Sequence, residues 1–527
     1  MLSRMVDSAI AIFDPARAVK RQAHRQALSY VSGEMAPRGK EWRASRKGPN
    51  AELRNSLAFL RSRSREMIRD NAMAARMVSI RVAHEIGYGI TPRSTTGDEA
   101  LDKRVIALWN RFVAQSDLHG RLNLYAQQMQ MARCRGEAGE ALMRLVRLTP
   151  AEARRMRLAV PLLLEVLEPD LLDDAMPLLG TTEALRVSGG IEFDRAGRPV
   201  AYRLLRDHPG EGLAPLATSA VRYDRVPAAD MIHLYRAHQQ RPNQSRGVPD
   251  LAPVMMRMRR LEEYEEAAVE QAKVQALLGV FYEQKDPLDA QGNPVERGVG
   301  DNGGPPLEVW PGMVGELPPG MEAKFLQPSG SGAFEPYAKH EQRMIAAGYA
   351  GGMPYDLATG DLADTNYSSM RGGKVAFRIT IEQDQWGMHI PMMCDPIWQA
   401  FIQAAVLFGV LPARTDGYPV HWNPPPFQML DPGKEIPPMV EAIRAGIATW
   451  DQTVAGQGFD PREQAAEIQR TNEDFDRRGL ILTTDPRRLA SSGQAQDARQ
   501  NAAVEIGARG GAALPNGASS RDAQPAA

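Results

Sequence analysis

Cysteine is almost missing from this chain: Cys134 and Cys394 are the two in 527 residues. A disulfide framework needs several pairs, so that class of small secreted scaffold is excluded, and there is no thiolate cluster for a structural zinc. Aromatic residues are sparse at 6%. Net charge is missing too, since 63 Lys+Arg stand against 64 Asp+Glu to give −1. A protein that coats DNA by displacing counterions needs excess cations, so that class is excluded as well; one that lets DNA pass without gripping it is not. No segment approaches the ~20 uninterrupted apolar residues of a membrane-spanning helix. The N-terminal apolar run is broken by Asp7, which argues against a signal peptide. The expectation is a protein of a reducing compartment, the cytoplasm.

What is present is an ordinary globular balance, 43% apolar and 24% charged, punctuated by 46 Gly and 39 Pro. The first ~60 residues are basic, with Arg17, Lys20, Arg21, Arg25, Arg38, Lys40, Arg43, Arg46 and Lys47 outnumbering nearby acids. They read as an arm, either mobile or touching a neighbouring subunit or nucleic acid. Helical spacing of Leu53, Leu57, Leu60, Met67, Ile68, Met77, Val78 and Val82 predicts one helix from Ala51 to Glu85, stopped by Gly87 and Gly89. Helices over Asp98–Phe112 and Leu122–Gly136 follow. Strands are then expected at Glu140–Arg147, Leu162–Leu167 and Met231–Tyr235, with a hairpin pairing Gly190–Phe193 and Val200–Leu205.

From Val248 to Tyr282 a single long helix is expected, since its apolar residues keep helical spacing with no Gly or Pro between Pro253 and Gly279. Residues 283–332 are loop-rich, with strand candidates at Leu307–Trp310 and Ala323–Leu326. A helix from Phe334 to Gly351 precedes the loop MPYDLATGDLADTNYSS. Helices over Ser369–Gln385, Pro396–Phe408 and a module from Pro432 to Gly479 complete the pattern, before a tail poor in large apolar residues. The fold class is α+β, mostly helical.

Motifs for chemistry fail one by one. Arg371-Gly372-Gly373-Lys374 lacks the leading glycine and the trailing Ser/Thr of a phosphate loop. Gly330-Ser331-Gly332 has the wrong spacing for a nucleophile elbow. None of His84, His119, His208, His233, His238, His340, His389 and His421 stands four residues from another, so no zinc pair is read. Asp170, Asp173 and Asp174 follow a strand and could hold Mg²⁺ as in a nuclease; equally, they could cap the next turn. Arg257, Arg259 and Arg260 precede Glu262, Glu263, Glu265 and Glu266 on the long helix, either as a solvated face with pairs such as Arg259–Glu263 or as a contact between copies. No catalytic residue, cofactor site or metal site is assigned, and an enzyme is not expected.

A set of ordered motifs points elsewhere. Arg61-Ser62-Arg63-Ser64-Arg65 through Asp70-Asn71, Gly87-Tyr88-Gly89-Ile90, and Arg135-Gly136-Glu137-Ala138-Gly139-Glu140 come first. Leu167-Glu168-Pro169-Asp170, Gly190-Ile191-Glu192-Phe193-Asp194 and Gly197-Arg198-Pro199-Val200-Ala201-Tyr202 come next. Then follow Pro242-Asn243-Gln244-Ser245-Arg246-Gly247-Val248-Pro249, Gly360-Asp361-Leu362 with Asn366-Tyr367-Ser368-Ser369-Met370-Arg371, and Asp431-Pro432-Gly433-Lys434-Glu435. In this order, from Ala51 to Leu482, the sequence resembles the lambda-like portal proteins of tailed bacteriophages. Gly348–Pro354 and Ile436-Pro437-Pro438 depart from the family's usual turn and helix start.

The resemblance implies a portal fold with a small β-containing wing, long stem helices, a loop-rich clip and a C-terminal helical crown. It divides the chain into a basic arm 1–50, a wing or body 51–246, a first stem helix 247–282, a clip 283–332, a second stem helix 333–350, a channel loop 351–369, a long helix and return to the wing 370–430, a crown 431–485 and a disordered tail 486–527. It implies a homo-oligomeric ring, usually of twelve copies, at one capsid vertex of the virion, assembled in the host cytoplasm. Double-stranded DNA would be packaged and ejected through it without sequence preference. Its partners would be the terminase large subunit, the major capsid and scaffold proteins and the head-tail completion proteins. Asp356, Asp361, Asp364 and Asn366 would face DNA from the channel loop, and Arg257, Arg259, Arg260, Glu262, Glu263 and Glu266 would form the stem interface between subunits. The competing readings are a metal-dependent nuclease around Asp170 and Asp174 or another component of the packaging system.

Overall fold

The computed structural model describes residues 47–54, 56–172, 186–210, 223–277, 281–284, 321–324, 334–363, 367–426, 429 and 431–480. The chain divides into a large unit up to Pro425 and a smaller one from Pro426.

Three helices open the large unit: α1 (Pro49–Leu53), α2 (Leu57–Asp70) and α3 (Ala72–Glu85). The single helix expected over 51–85 is therefore broken. Asn71 adopts extended backbone, φ −105° and ψ 120°, and its side-chain oxygen accepts from Ala74 N to cap α3. An asparagine cap competes with helix continuation, which apolar spacing cannot register. Strand β1 (Thr91–Ser94) precedes α4 (Glu99–Gln115) and α5 (Leu124–Ala138). Asp98 and Asn123 cap these two helices through their side chains.

Strand β2 (Glu140–Arg147) is followed by the short α6 (Pro150–Arg155) and by β3 (Leu162–Leu167). Strands β4 (Arg186–Ser188), β5 (Ile191–Phe193), β6 (Pro199–Leu205) and β7 (Tyr223–Pro227) form an antiparallel sheet in sequence order. Its β5–β6 hairpin is the one expected, turning at Gly197, whose φ is 81°. Strand β8 (Met231–Tyr235) joins β3 and β2 in a sheet ordered β3-β2-β8, in which Glu140 faces Tyr235 and Leu142 faces His233.

The long helix is α7 (Met255–Leu277), shorter at both ends than the expected 248–282. Residues 248–254 instead make turns whose Leu251 and Val254 are buried, and Tyr282 lies in strand β9 (Phe281–Gln284). Strand β10 (Met321–Lys324) pairs antiparallel with β9, Met321 opposite Gln284. The remainder of the loop-rich segment, with the candidate at 307–310, lies outside the described residues, as do the arm before Lys47 and the C-terminal tail.

After α8 (Phe334–Gly348), the supposed loop 351–369 contains a helix, α9 (Tyr355–Thr359), and α10 (Tyr367–Asp384) begins inside it. The turn between α8 and α9 has left-handed backbone at three successive residues, Ala350 (φ 47°), Gly351 (φ 84°) and Gly352 (φ 105°). The gap expected between 385 and 396 is also filled. A π-helix over Gln385–Cys394 carries the chain straight from α10 into α11 (Asp395–Leu407). Pro391 lies inside this wider coil, which is how a residue without an N–H is tolerated there. Strand β11 (Val420–Asn423) then pairs with β1, placing Trp422 opposite Pro92.

The main core gathers Trp109 and Phe112 of α4, Met131 of α5, Met143 of β2, Leu164 of β3, Ile232 of β8, Met388 and Met393 of the π-helix, and Trp398 and Phe401 of α11. Trp109 is its hub, 5.0 Å from Phe401 and 5.2 Å from Trp398 between ring centroids. A second core lies on the opposite face of β2, where Leu142 packs with Ile191, Tyr202, Leu204 and Met231. Strand β2 is thus buried on both faces, the alternation of its side chains feeding two cores. The smaller unit holds α12 (Pro432–Arg444), α13 (Trp450–Gly456) and α14 (Pro461–Arg478). In α12, Pro437 and Pro438 lie within the helix, which starts before them at Pro432.

Candidate functional site

Two buried ionic clusters sit where α2, α3, α5, the end of β8 and the start of the 248–254 turns meet. The first surrounds Glu140, the first residue of β2 and fully buried. Arg61 of α2 donates to Glu140 Oε1 through Nη2, and Arg246 Nε donates to the same oxygen at 2.8 Å. His233 Nε2 lies 2.8 Å from Oε2, and the backbone N–H of Gly247 donates to Oε2 at 2.8 Å. Arg246 continues outward, donating to the carbonyls of Gly189 (2.7 Å) and Pro169 (3.2 Å). Burial would raise the Glu140 carboxyl's pKa; Arg246, Arg61 and His233 outweigh it and hold the group ionised.

The second cluster alternates signs through Glu85, Asp250 and Asp384. Glu85 accepts from Arg81 Nε at 2.7 Å and Arg135 Nη2 at 2.7 Å, with His389 Nε2 at 2.9 Å. Arg135 also reaches Asp250 at 2.6 Å. Arg236 spans Asp250 at 2.9 Å and Asp384 at 2.9 Å. Arg81 closes the circuit on Asp384, and His238 lies 3.2 Å from it. Burial alone would push the Glu85 carboxyl up, but Arg135, the His389 contact and Arg81 bring it down to about 2. Such a lattice adds little net stability compared with apolar packing, but it tolerates one geometry and not its neighbours. Here it ties α3, α5, the end of β8, the root of α7 and the junction of α10 with the π-helix into one joint.

Backbone contact tightens the joint. Gly139 ends α5 with left-handed backbone (φ 90°), and a Cβ there would stand 2.4 Å from the Val248 carbonyl carbon. This approach carries the Arg246–Asp250 segment across the α5–β2 corner.

The acids singled out from the sequence fall in different places. Asp170 is taken by Arg65, whose Nη2 lies 2.6 Å from Asp170 and 3.3 Å from Glu168. Glu168, Asp170 and His208 do converge, each offering a ligand atom within 4.8 Å of the others. A guanidinium already supplies the positive charge at that spot, so the arrangement is a salt-bridged corner. Asp173 and Asp174 lie outside the described residues. Arg257 pairs within the chain, to Glu341 of α8 at 2.8 Å. Glu262 accepts from Asn71 Nδ2 at 2.8 Å, and Arg259 reaches Glu263 at 3.2 Å. Arg260, Glu263 and Glu266 are exposed on α7. Asp356 stands in the first turn of α9; Asp361 accepts from Tyr355 Oη (3.2 Å) and from the N–H of Ala363 (3.0 Å). Asp364 and Asn366 lie outside the described residues.

Arg61, Arg135, Glu140, Arg246 and Gly247 stand in the sequence as motif letters with no site assigned to them, whereas Asp170 stands there also as a candidate Mg²⁺ ligand. The structure brings Arg61, Glu140, Arg246 and Gly247 together and places Arg135 in the adjoining cluster. The histidines dismissed for want of spacing include two, His233 and His389, that rest on buried glutamates.

Comparison with known proteins agrees with these motifs. Residues 36–385 match the family described as phage portal protein, lambda family, so the chain belongs to the lambda family of phage portal proteins. It is 28% identical over 445 residues to a probable portal protein of Halomonas phage phiHAP-1, covering 80% of this chain and 81% of that one. Among solved structures, it is similar to a chain in the neck of an empty gene transfer agent particle, at 16% identity and TM-score 0.39, covering 82% of this chain and 100% of that one. It is also similar to a chain in the virion of a native gene transfer agent particle, at 15% identity and TM-score 0.40, covering 77% of this chain and 94% of that one.

Proposed function

We propose that this portal protein forms a ring of about twelve copies at one capsid vertex of the virion, through which DNA is packaged and ejected. In this reading the body 51–246 is the wing, α7 and α8 form the stem, the loop-rich segment 283–332 is the clip, and the module from 431 is the crown. The terminase large subunit docks at the clip, head-tail completion proteins join on the outer face, and assembly with capsid and scaffold proteins takes place in the host cytoplasm. The protein acts as a conduit and performs no catalysis.

The observation that carries this reading is α7. It is 23 residues long, roughly 35 Å at ~1.5 Å per residue. Within its own chain one stripe packs on α8, where Tyr264 meets Phe334 at 5.6 Å and Tyr337 at 4.7 Å between ring centroids. Met256, Arg259, Arg260, Glu263, Glu266, Val269 and Glu270 are exposed along the rest. A rod fixed at its root by Asp250, packed on α8 along one stripe and exposed along another, is built to pack against further copies of itself. Negative-stain imaging of the purified chain tests this. Closed rings with a central hole are expected; monomers that cut DNA in Mg²⁺ would replace the conduit with a nuclease.

A further inference from the structure

We infer that the surface where α4, α6 and the end of α11 meet docks an acidic amphipathic helix of a partner protein. The apolar side of that helix would rest on Leu407 and Met156, and its carboxylates on the arginines around them. Leu407, the last residue of α11, is 82% exposed, and Met156, just after α6, is 49% exposed. Phe408 follows Leu407 and is half-buried. None of these residues belongs to α7, whose exposed stripe is assigned to other copies.

Four arginines are brought to this surface by contacts that leave their charge uncompensated. Arg104 of α4 donates to the Val410 carbonyl at 2.6 Å, and the Arg154 guanidinium of α6 lies 5.6 Å from the centre of the Phe408 ring. Arg104, Arg111 and Gln115 follow the spacing i, i+7, i+11, one face of α4. Gln115 Nε2 donates to the Arg157 carbonyl at 3.3 Å, and its Oε1 accepts from the Ala159 N–H at 2.8 Å, which fixes the turn carrying Arg157 to α4. Arg104, Arg111, Arg154 and Arg157 are all exposed. Many other arginines of the large unit reach carboxylates, Arg65, Arg144, Arg147 and Arg206 among them. Among the described residues, these four make no ion pair. The neighbouring acids are occupied: Asp102 accepts from Ser94 at 2.7 Å and Thr96 at 2.8 Å, and Glu152 accepts from Thr149 at 2.7 Å.

The mixture of side chains selects the occupant. Duplex DNA is gripped through its phosphates and gains nothing from a leucine left in water; a protein partner buries it. Interface centres favour Met, aromatic and Arg side chains, the composition found here, and four uncompensated cations are complemented by carboxylates on the facing side. A cation in the last turn of α6 accounts for Arg154 by itself, but not for Leu407 exposed at the end of another helix. An amphipathic helix with an acidic border supplies both surfaces, its apolar anchors at i, i+3, i+4 and i+7. Because Arg104, Arg154 and the Arg157 turn are already anchored, little ordering is left for binding to impose.

The test uses the full-length chain and a fluorescein-labelled synthetic helix about 20 residues long, with Leu along one face and Glu along the other. Fluorescence anisotropy should show binding that weakens with salt, while a scrambled peptide of the same composition stays free. Two variants separate the parts: Arg111→Gln with Arg154→Gln and Arg157→Gln removes exposed charge, and Leu407→Ser removes the exposed anchor. Each should weaken binding by about tenfold with an unchanged thermal midpoint. No binding by the unmodified chain, equal binding of the scrambled peptide, or unchanged affinity in folded variants would overturn the inference. So would a DNA duplex that binds more tightly than the peptide and ignores Leu407→Ser, since the surface would then read phosphate. Rings lost in Leu407→Ser would overturn it too, by making the surface a contact between copies. Peptide binding by a chain that forms no rings would remove the conduit and leave this docking surface standing.

Discussion

Gly247 passes against Gly139 so closely that a Cβ on Gly247 would lie 2.0 Å from the Gly139 carbonyl oxygen. Both partners are backbone at the corner where α5 gives way to β2, so neither side can rotate aside. The contact brings the Gly247 N–H onto Glu140 and carries Arg246 and Asp250 into the two ionic clusters. A short backbone crossing therefore sets where α7 starts.

Gly247→Ala should destabilise the large unit by about 1–3 kcal/mol, the usual cost of forcing atoms into a filled space. Gly48→Ala, where the backbone is likewise not left-handed and the space is open, controls for the change of residue itself. Urea unfolding of the two variants checks the difference: Gly247→Ala should move the midpoint more.

Removing one partner from a buried ionic cluster leaves a buried charge with less compensation than its burial requires. Arg246→Met should cost about 3–5 kcal/mol, because Glu140 keeps its burial and loses its partner at 2.8 Å. Arg259→Met, at an exposed i,i+4 pair, should cost less than about 1 kcal/mol. Thermal or chemical denaturation of the two variants side by side reads this contrast.

Acid should loosen the joint. The folded Glu85 carboxyl is held at about 2, below its ordinary 4.5. A depressed carboxyl contributes stability that is present in full above the unfolded value and is lost as pH falls toward the folded one. Stability attributable to Glu85 should therefore be level above about pH 5 and fall between about 4.5 and 2. Glu85→Gln should be less stable at pH 7 and show a shallower acid decline; denaturant midpoints across that range decide it.

Ala268 lies within α7, in the half nearer its C-terminal end. Ala268→Pro should cost about 3 kcal/mol or more in a helix interior and abolish rings while leaving the cores folded. Imaging and circular dichroism together check it; normal rings would remove α7 from the subunit interface.

If residues 351–369 face DNA, replacing Asp356, Asp361 and Asp364 with Lys adds phosphate contacts. Packaging should then slow, with a stronger dependence on salt. An unchanged packaging rate and salt response in normal rings would place this segment away from DNA.

Alternation and periodicity determined much from sequence alone. The bounds of β2, β3 and β8, the β5–β6 hairpin and the existence of a long helix near 255–277 follow from local patterns, because side-chain period and turn chemistry act over a few residues. The ordered motifs carried the family. The tertiary structure decided what those motif residues do. Arg61 meets Glu140 across 79 positions and Arg81 meets Asp384 across 303, and no local signal reports a partner so distant. Asn71 broke a helix by capping the next one, and a π-helix carried Pro391 where a gap was expected. The root of α7 was likewise invisible: residues 248–254 turn because Gly247 must clear Gly139 and Asp250 must reach Arg135 and Arg236, constraints that exist only once the chain has folded.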